Sequence, residues 1–129
     1  MKIIISGAFG HIGSYLLEKF QKDKTISSVL MIDNFYTQRF SSYLKLKKKK
    51  FKLIDADINK INFKSIKENY DIFIHLGAIT NAAESFKIKK LIHYNNFGGT
   101  KKVVNFCKNK KIPLIFPSST SVYGKKFSL

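Results

Sequence analysis

Gly7, Gly10 and Gly13 stand at three-residue spacing between an apolar run and a helical pattern, an arrangement whose chemistry is phosphate binding. Gly7 permits a sharp turn, Gly10 lets the backbone approach a pyrophosphate, and Gly13 lets the helix lie close to the strand. The free N–H groups near His11 and Ile12 then point at the anion, with the helix dipole behind them. The alternative is a turn that binds nothing, because the spacing is G-x-x-G-x-x-G rather than G-x-G-x-x-G.

An acidic residue follows the second apolar run, and its chemistry is the recognition of a ribose. Asp33 stands 20 residues after Gly13, close to where dinucleotide folds place the acid that binds the adenosine ribose. A carboxylate there accepts hydrogen bonds from the two hydroxyls and repels a 2′-phosphate, so it favours NAD over NADP. The alternative is an Asp that ends a strand in a turn with Asn34.

Asp57 and Ile58 stand at the end of a third apolar run, residues 51–54. The carboxylate of Asp57 can accept a hydrogen bond from an adenine amino group while Ile58 packs on the ring. Alternatively, Asp57 is the N-cap of a weak helix predicted over residues 60–69, and the two roles are compatible.

Small and hydroxyl side chains follow the fourth and fifth apolar runs. Gly77 and Ala78 come directly after a strand predicted over residues 70–76 and leave room for a ligand. We interpret His75 as a packed strand residue rather than a catalyst. Residues 118–121 are four consecutive hydroxyl residues, which can form a reaction site or a polar loop.

Strand and helix patterns alternate along the chain, which predicts an α/β fold that positions these residues. Strands are predicted over residues 3–6, 28–32, 51–54, 70–76 and 114–116, and helices over 11–22, 60–69, 84–90 and 91–110, with a loop and short helix in 34–50. Gly98 and Gly99 interrupt the last helical pattern and indicate close packing or a ligand. Right-handed crossovers give a doubly wound parallel sheet of order 3-2-1-4-5, with every candidate residue at a carboxyl strand end.

The composition sets limits on the class of protein. A chain of 129 residues makes one domain, and no apolar run is long enough to span a membrane. The net charge of +16 comes almost entirely from scattered lysines, so we expect a solvated surface rather than nucleic-acid binding. Cys107 is the single cysteine and is interpreted as a core residue. No metal-ligand spacing is visible, and the N-terminus lacks signal-peptide features, so we expect a cytoplasmic protein.

Six pieces of the sequence together resemble the N-terminal part of an extended short-chain dehydrogenase/reductase. Specifically, they resemble the NAD-dependent epimerase/dehydratase family, which acts on nucleotide sugars. The pieces are Gly7-x-x-Gly10-x-x-Gly13, Asp33-Asn34, Asp57-Ile58, His75-Leu-Gly-Ala78, Asn96-Phe-Gly-Gly-Thr100 and Ser118-Ser-Thr-Ser-Val-Tyr-Gly124. They span nearly the whole chain, and the one mild departure is Gly77, where the family more often has alanine. The resemblance implies an NAD-binding, Rossmann-like domain over residues 1–129.

The resemblance also implies a role for each residue toward a bound NAD. The backbone N–H groups of His11 and Ile12 would hold the pyrophosphate, and Asn96 would lie near the nicotinamide half. The other implied contacts are Asp33 and Asn34 at the adenosine ribose, Asp57 and Ile58 at the adenine, and Leu76, Gly77, Ala78 and Ser118 along the cofactor. Ser119 aligns with the catalytic Ser/Thr of the family, which hydrogen-bonds the sugar oxygen being oxidised.

The family's catalytic Tyr and Lys are the large departure. In the family they form a Tyr-x-x-x-Lys pair in the helix after the fifth strand, where the Tyr is the base. This sequence ends at Leu129, before that helix, and we interpret Tyr15 with Lys19 and Tyr43 with Lys47 as chance matches. We therefore expect a cofactor-binding fragment, inactive alone, of an enzyme that oxidises a nucleotide sugar. The alternatives are a non-catalytic nucleotide-binding remnant and, less favoured, a basic nucleic-acid-associated protein.

Because this sequence does not include the family's helix after the fifth strand, we have a further expectation about the helix around residues 96–110. With the sheet ending at its fifth strand, Val103, Val104 and Phe106 would lack a covering helix and form an exposed apolar patch. We therefore expect association of the chain, as a homodimer through this helix.

Overall fold

The computed structural model describes residues 1–46, 48–80 and 87–118. Five parallel strands form one sheet, in the order β3-β2-β1-β4-β5. They are β1 (Lys2–Ser6), β2 (Ser28–Asp33), β3 (Phe51–Asp55), β4 (Ile72–His75) and β5 (Leu114–Ile115). The predicted strands and the predicted order 3-2-1-4-5 are confirmed, with ends that differ by one or two residues.

The helices lie between the strands. They are α1 (His11–Lys22), the short α2 (Phe40–Leu44), α3 (Lys89–Ile92) and α4 (Gly99–Lys110), with a π-helical turn over His93–Gly98 that joins α3 to α4. No helix in the described ranges is long and apolar enough to cross a membrane. The predicted limits of α1 are confirmed, and so is the prediction of a loop with a short helix in residues 34–50.

The helix predicted over residues 60–69 is wrong. The structure has a single 3₁₀ turn there, Phe63–Ser65, and Asp57 caps no helix. The side chain of Asn62 accepts a hydrogen bond from the backbone N–H of Lys64 at 3.1 Å, and that of Asp57 accepts one from Asn59 at 2.8 Å. These local bonds stabilise turns in competition with a helix, which explains the error.

The core lies on both faces of the sheet because side chains alternate along each strand. On one face, Ile3 and Ile5 of β1 pack in a cluster with Leu17 of α1. On the other, Ile4 packs in a cluster with Val103 of α4. β1 is therefore buried on both sides, and its carboxyl end is held in place by the layers around it.

The expectation of an exposed patch on α4 is wrong for two of its three residues. Val103 and Phe106 are buried, and Val104 is 43% exposed. The ring of Phe63, from the 3₁₀ turn, lies 4.9 Å from that of Phe106 and covers it. Cys107 is buried in the same cluster, as predicted, and burial raises the pKa of its thiol to about 11.

Gly98 and Gly99 do not break the helical backbone, which passes through both with φ near −60°. A Cβ on Gly99 would lie 2.5 Å from Cγ2 of Ile58, so this glycine permits close contact between α4 and the loop after β3. Of the two interpretations of the pair, the structure supports close packing.

Candidate functional site

A groove runs along the carboxyl ends of β1 to β4, with an empty volume of about 770 Å³ that is partly open to solvent. The register places these ends level, since Ser6 pairs with both Ile32 and His75. Nine predicted site residues line this groove: Gly7, Gly10, Asp33, Asn34, Asp57, Ile58, Leu76, Gly77 and Ala78. The sheet edge thus brings together residues that are far apart in the sequence, at the place where open α/β sheets bind ligands.

The turn after β1 depends on Gly7, whose φ of +68° lies in the left-handed region. A Cβ there would lie 2.6 Å from the backbone nitrogen of Gly77, so no larger residue fits between the two loops. The N–H of Gly7 donates to the carbonyl of Ile32 at 2.9 Å, which fixes the turn to β2. Gly13 allows equally close packing, because its Cβ would lie 2.4 Å from the carbonyl oxygen of Gly7.

The turn leads into the N-terminus of α1. Gly10 is the N-cap residue and has extended backbone geometry, so no side chain caps the helix, and its first turn holds no acidic residue. Helix geometry leaves the first N–H groups, at His11 and Ile12, without intrahelical acceptors. An anion at this end of the groove would face these donors and the positive end of the helix dipole.

Asp33 ends β2 and is 9% exposed. Its Oδ2 accepts a hydrogen bond from the backbone N–H of Phe9 at 2.8 Å, and its Oδ1 accepts one from Phe35 at 2.8 Å. The turn-forming role is therefore present, with Phe35 as the partner, while Asn34 accepts separately from Tyr36. A carboxylate oxygen has two lone pairs, so each oxygen of Asp33 can accept a further hydrogen bond from a ligand.

The loop after β3 is tied to the helices beside it. Asn59, which is buried, donates from Nδ2 to the carbonyl of Tyr94 at 2.9 Å, and the ammonium of Lys102 donates to the carbonyl of Asn59. These bonds hold Asp57 and Ile58 at the groove. Asn59 was not anticipated from the sequence, which gives no signal for its contact with a residue 35 positions away.

Asn96 lies on the wall behind the groove. Its Oδ1 accepts from the backbone N–H of Ile79 at 2.8 Å, and its Nδ2 donates to the carbonyl of Ile79 at 3.0 Å. Asn95, the preceding residue in the π-helical turn, lines the groove and donates to Asn96 at 2.9 Å. The amide of Asn96 is thus engaged with the protein backbone, and its proximity to the nicotinamide half stays a prediction.

His75 is a packed strand residue, as predicted, and is 2% exposed. Its Nδ1 lies 2.5 Å from Oγ of Ser6, and its Nε2 lies 3.0 Å from Oγ1 of Thr100. Burial lowers the pKa of His75 to about 4, so the ring is neutral near pH 7 and links β1, β4 and α4.

Two of the three remaining candidates, Ser118 and His11, can be placed relative to the groove, and Ser119 cannot. Ser118 is exposed after β5 and is not among the groove-lining residues, whereas Ser119 lies outside the described residues. The ring of His11 lies against the guanidinium of Arg39, with 2.9 Å between Nδ1 and Nη1 and 2.6 Å between Nε2 and Nη2. Within the described ranges, no group of His, Cys, Asp and Glu could hold a metal ion.

A doubly wound parallel sheet with a glycine turn after β1 and a carboxylate at the end of β2 defines a dinucleotide-binding, Rossmann-like domain. A family model narrows the class further, because the NAD dependent epimerase/dehydratase family matches residues 3–128. The chain belongs to this family, as the sequence motifs predicted.

The relatives are enzymes of nucleotide sugars. The chain is 33% identical to an uncharacterised UDP-glucose epimerase of Bacillus subtilis, covering 98% of this chain and 42% of the relative. It is also 33% identical to a dTDP-D-glucose 4,6-dehydratase of Dictyostelium discoideum, over 95% of this chain and 30% of the relative. Among solved structures, UDP-glucuronic acid 4-epimerase from Bacillus cereus, in complex with UDP-glucuronic acid and NAD, matches with a TM-score of 0.87 and 31% identity. That match covers 99% of this chain and 43% of the epimerase. The chain therefore spans about two fifths of the length of several such proteins.

Proposed function

We propose that this chain forms the NAD-binding part of a nucleotide-sugar epimerase or dehydratase. The observation that carries the proposal is the groove itself, in which the glycine turn, Asp33, and the pair Asp57 and Ile58 line one sheet edge. Membership of the family and the NAD bound in the Bacillus cereus epimerase support the choice of cofactor.

In the proposed complex, the dinucleotide lies across the carboxyl ends of the strands. The N–H groups of His11 and Ile12 donate to the diphosphate, and Asp33 with Asn34 holds the adenosine ribose. Asp57 accepts from the adenine amino group, and Ile58 packs against the ring. Leu76, Gly77 and Ala78 form the wall along the cofactor. Asn96 lies near the nicotinamide half, where it holds the peptide of Ile79 by hydrogen bonds.

The chemistry of the sugar is proposed for the whole protein, of which this chain is the cofactor part. NAD, when bound, accepts a hydride from a sugar carbon, and epimerisation, dehydration or reduction follows. By alignment with the family, Ser119 hydrogen-bonds the sugar oxygen being oxidised. A homodimer through residues 96–110 belongs to the same proposal, with Val104 as the exposed member of the expected patch.

A thermal melt of the 129-residue chain with NAD, and with NADP as the control, tests the proposal. Because a ligand that binds only the folded state stabilises it, NAD at about ten times its Kd should raise Tm by several degrees. NADP should raise Tm less, since Asp33 repels a 2′-phosphate. A folded chain whose Tm is unchanged by millimolar NAD would contradict the proposal and favour a non-catalytic remnant that has lost its ligand.

A further inference from the structure

Arg39 is the single arginine of the sequence and follows two groove-lining residues closely in the chain, although it is not itself among the residues that line the groove. Tyr36 and Thr37, just before it in the chain, line the groove, and so does Gly10, just before His11. The contact between Arg39 and His11 therefore joins the loop after β2 to the N-terminus of α1, next to residues that line the groove. It joins residues 28 positions apart that no motif connects.

The side chains of Arg39 and His11 cannot satisfy each other's hydrogen-bonding groups. A guanidinium carries only donors, and a neutral imidazole accepts at one nitrogen and donates at the other. Both ring nitrogens of His11 nevertheless face guanidinium nitrogens, at 2.9 and 2.6 Å. One of the two contacts therefore sets a donor against a donor, whichever of the two ring nitrogens carries the hydrogen.

Within the described residues, Arg39 and His11 have no carboxylate as an ion-pair partner. Among the described residues the ion pairs are Lys22 with Glu18 and Lys52 with Glu68, so no described carboxylate pairs with Arg39. The first turn of α1 is likewise free of acidic residues. Guanidinium, imidazole and backbone N–H groups thus gather donors and positive charge at one place, which an anionic oxygen would compensate.

We propose that Arg39 is a phosphate-binding residue of the cofactor site, where it donates to the diphosphate of the dinucleotide and His11 positions it. This inference rests on the proposed function and adds a residue that the motifs do not include. The diphosphate is the favoured source of the phosphate oxygens, because the pair contains His11, the first residue of α1, which follows Gly10. Asp33, in contrast, disfavours a 2′-phosphate at the ribose.

The test is calorimetric titration of the 129-residue chain with NAD, ADP-ribose and NADP. Arg39→Gln removes the charge and leaves a neutral amide donor on a shorter side chain, and Lys45→Gln removes one charge from an exposed site in the same segment. Because charge-assisted hydrogen bonds are the stronger ones, Arg39→Gln should weaken NAD and ADP-ribose equally, by about tenfold or more. Lys45→Gln should leave both affinities unchanged.

A double-mutant cycle separates the two residues. If His11 acts through Arg39, His11→Phe should weaken NAD binding in the unmodified background and have little further effect in Arg39→Gln. Independent, additive losses would overturn the positioning role of His11.

The outcomes distinguish this inference from the proposed function. No binding of NAD by the unmodified chain would overturn both. Binding of NAD by the unmodified chain and equally tight binding by Arg39→Gln would overturn the inference alone. A loss in Arg39→Gln confined to NADP would assign Arg39 to a 2′-phosphate and overturn the diphosphate assignment.

Discussion

The carboxylate of Asp33 accepts a hydrogen bond from the backbone N–H of Phe9 across 2.8 Å, and so ties the end of β2 to the middle of the glycine turn. Its other oxygen holds Phe35, whose ring stacks on that of Phe9 with 4.9 Å between centroids. One side chain thus braces the glycine turn and stands at the proposed ribose position. The glycine turn and the proposed ribose site are coupled through it.

We expect Asp33→Asn to destabilise the fold, because the amide replaces one acceptor oxygen with a donor that faces a buried N–H group. The free energy of unfolding should fall by about 1–3 kcal/mol, the usual cost of leaving a buried donor unsatisfied. Asp71→Asn is the matched control, since that exposed carboxylate accepts one backbone N–H, from Lys2, which an amide oxygen can also accept. Urea unfolding measures both, and an equal effect in the two variants would refute the bracing role.

Asn96 should control the mobility of the groove wall. Asn96→Ala removes both bonds to the peptide of Ile79, so the amide of Ile79 should exchange its hydrogen about tenfold faster or more, as expected from the loss of about one buried hydrogen bond. Asn105→Ala, an exposed change on α4, is the control. Hydrogen exchange followed by NMR makes the measurement, and unchanged protection of Ile79 in Asn96→Ala would show that the wall is held by other contacts.

The sequence was sufficient to predict the sheet and the groove, since apolar runs and the residues that end them are local signals. Asp33, Asp57 and Gly77 meet because parallel strands end at one edge, and the pattern alone implies that edge. Contacts between loops and helices were not predictable. The bonds of Asn59 to Tyr94, of Asn96 to Ile79 and of Arg39 to His11 depend on tertiary packing, and no periodicity encodes them.

The prediction of a helix over residues 60–69 was wrong for a similar reason, because periodicity does not encode the competing hydrogen bond. The pattern contained apolar residues at acceptable spacing, but the side chain of Asn62 found a backbone partner within its own turn. That turn places Phe63 over Phe106 and so buries the α4 face that was expected to be exposed. One local hydrogen bond thus explains part of the error about the exposed surface of α4. The sequence pattern does not show whether this hydrogen bond or a helix over residues 60–69 is the more stable.

His75 should make the stability of the fold depend on pH. Burial lowers its pKa to about 4 from an ordinary 6.5, so the unfolded chain binds more protons between these two values. Stability is therefore full above pH 6.5 and falls as the pH is lowered toward 4, by up to about 3 kcal/mol. His75→Gln removes the titration and should flatten urea-unfolding free energies across this window. A slope in the variant equal to that of the unmodified chain would assign the pH dependence to other groups.

Gly99 and Gly98 offer a test of the packing that holds Ile58 at the groove. Both have helical geometry, so an alanine at either gains helix propensity by up to about 1 kcal/mol. A Cβ on Gly99 would lie 2.5 Å from Cγ2 of Ile58, whereas one on Gly98 would meet only the side chain of Asn59, at 3.1 Å. We therefore expect Gly99→Ala to lower the free energy of unfolding by about 1–3 kcal/mol, as overpacking does, and Gly98→Ala to change it little.

Ile58→Ala should rescue Gly99→Ala in a double-mutant cycle, because it removes the methyl group that the new Cβ meets. Equal stability of the two alanine variants would show that α4 and the loop after β3 are not in obligatory contact.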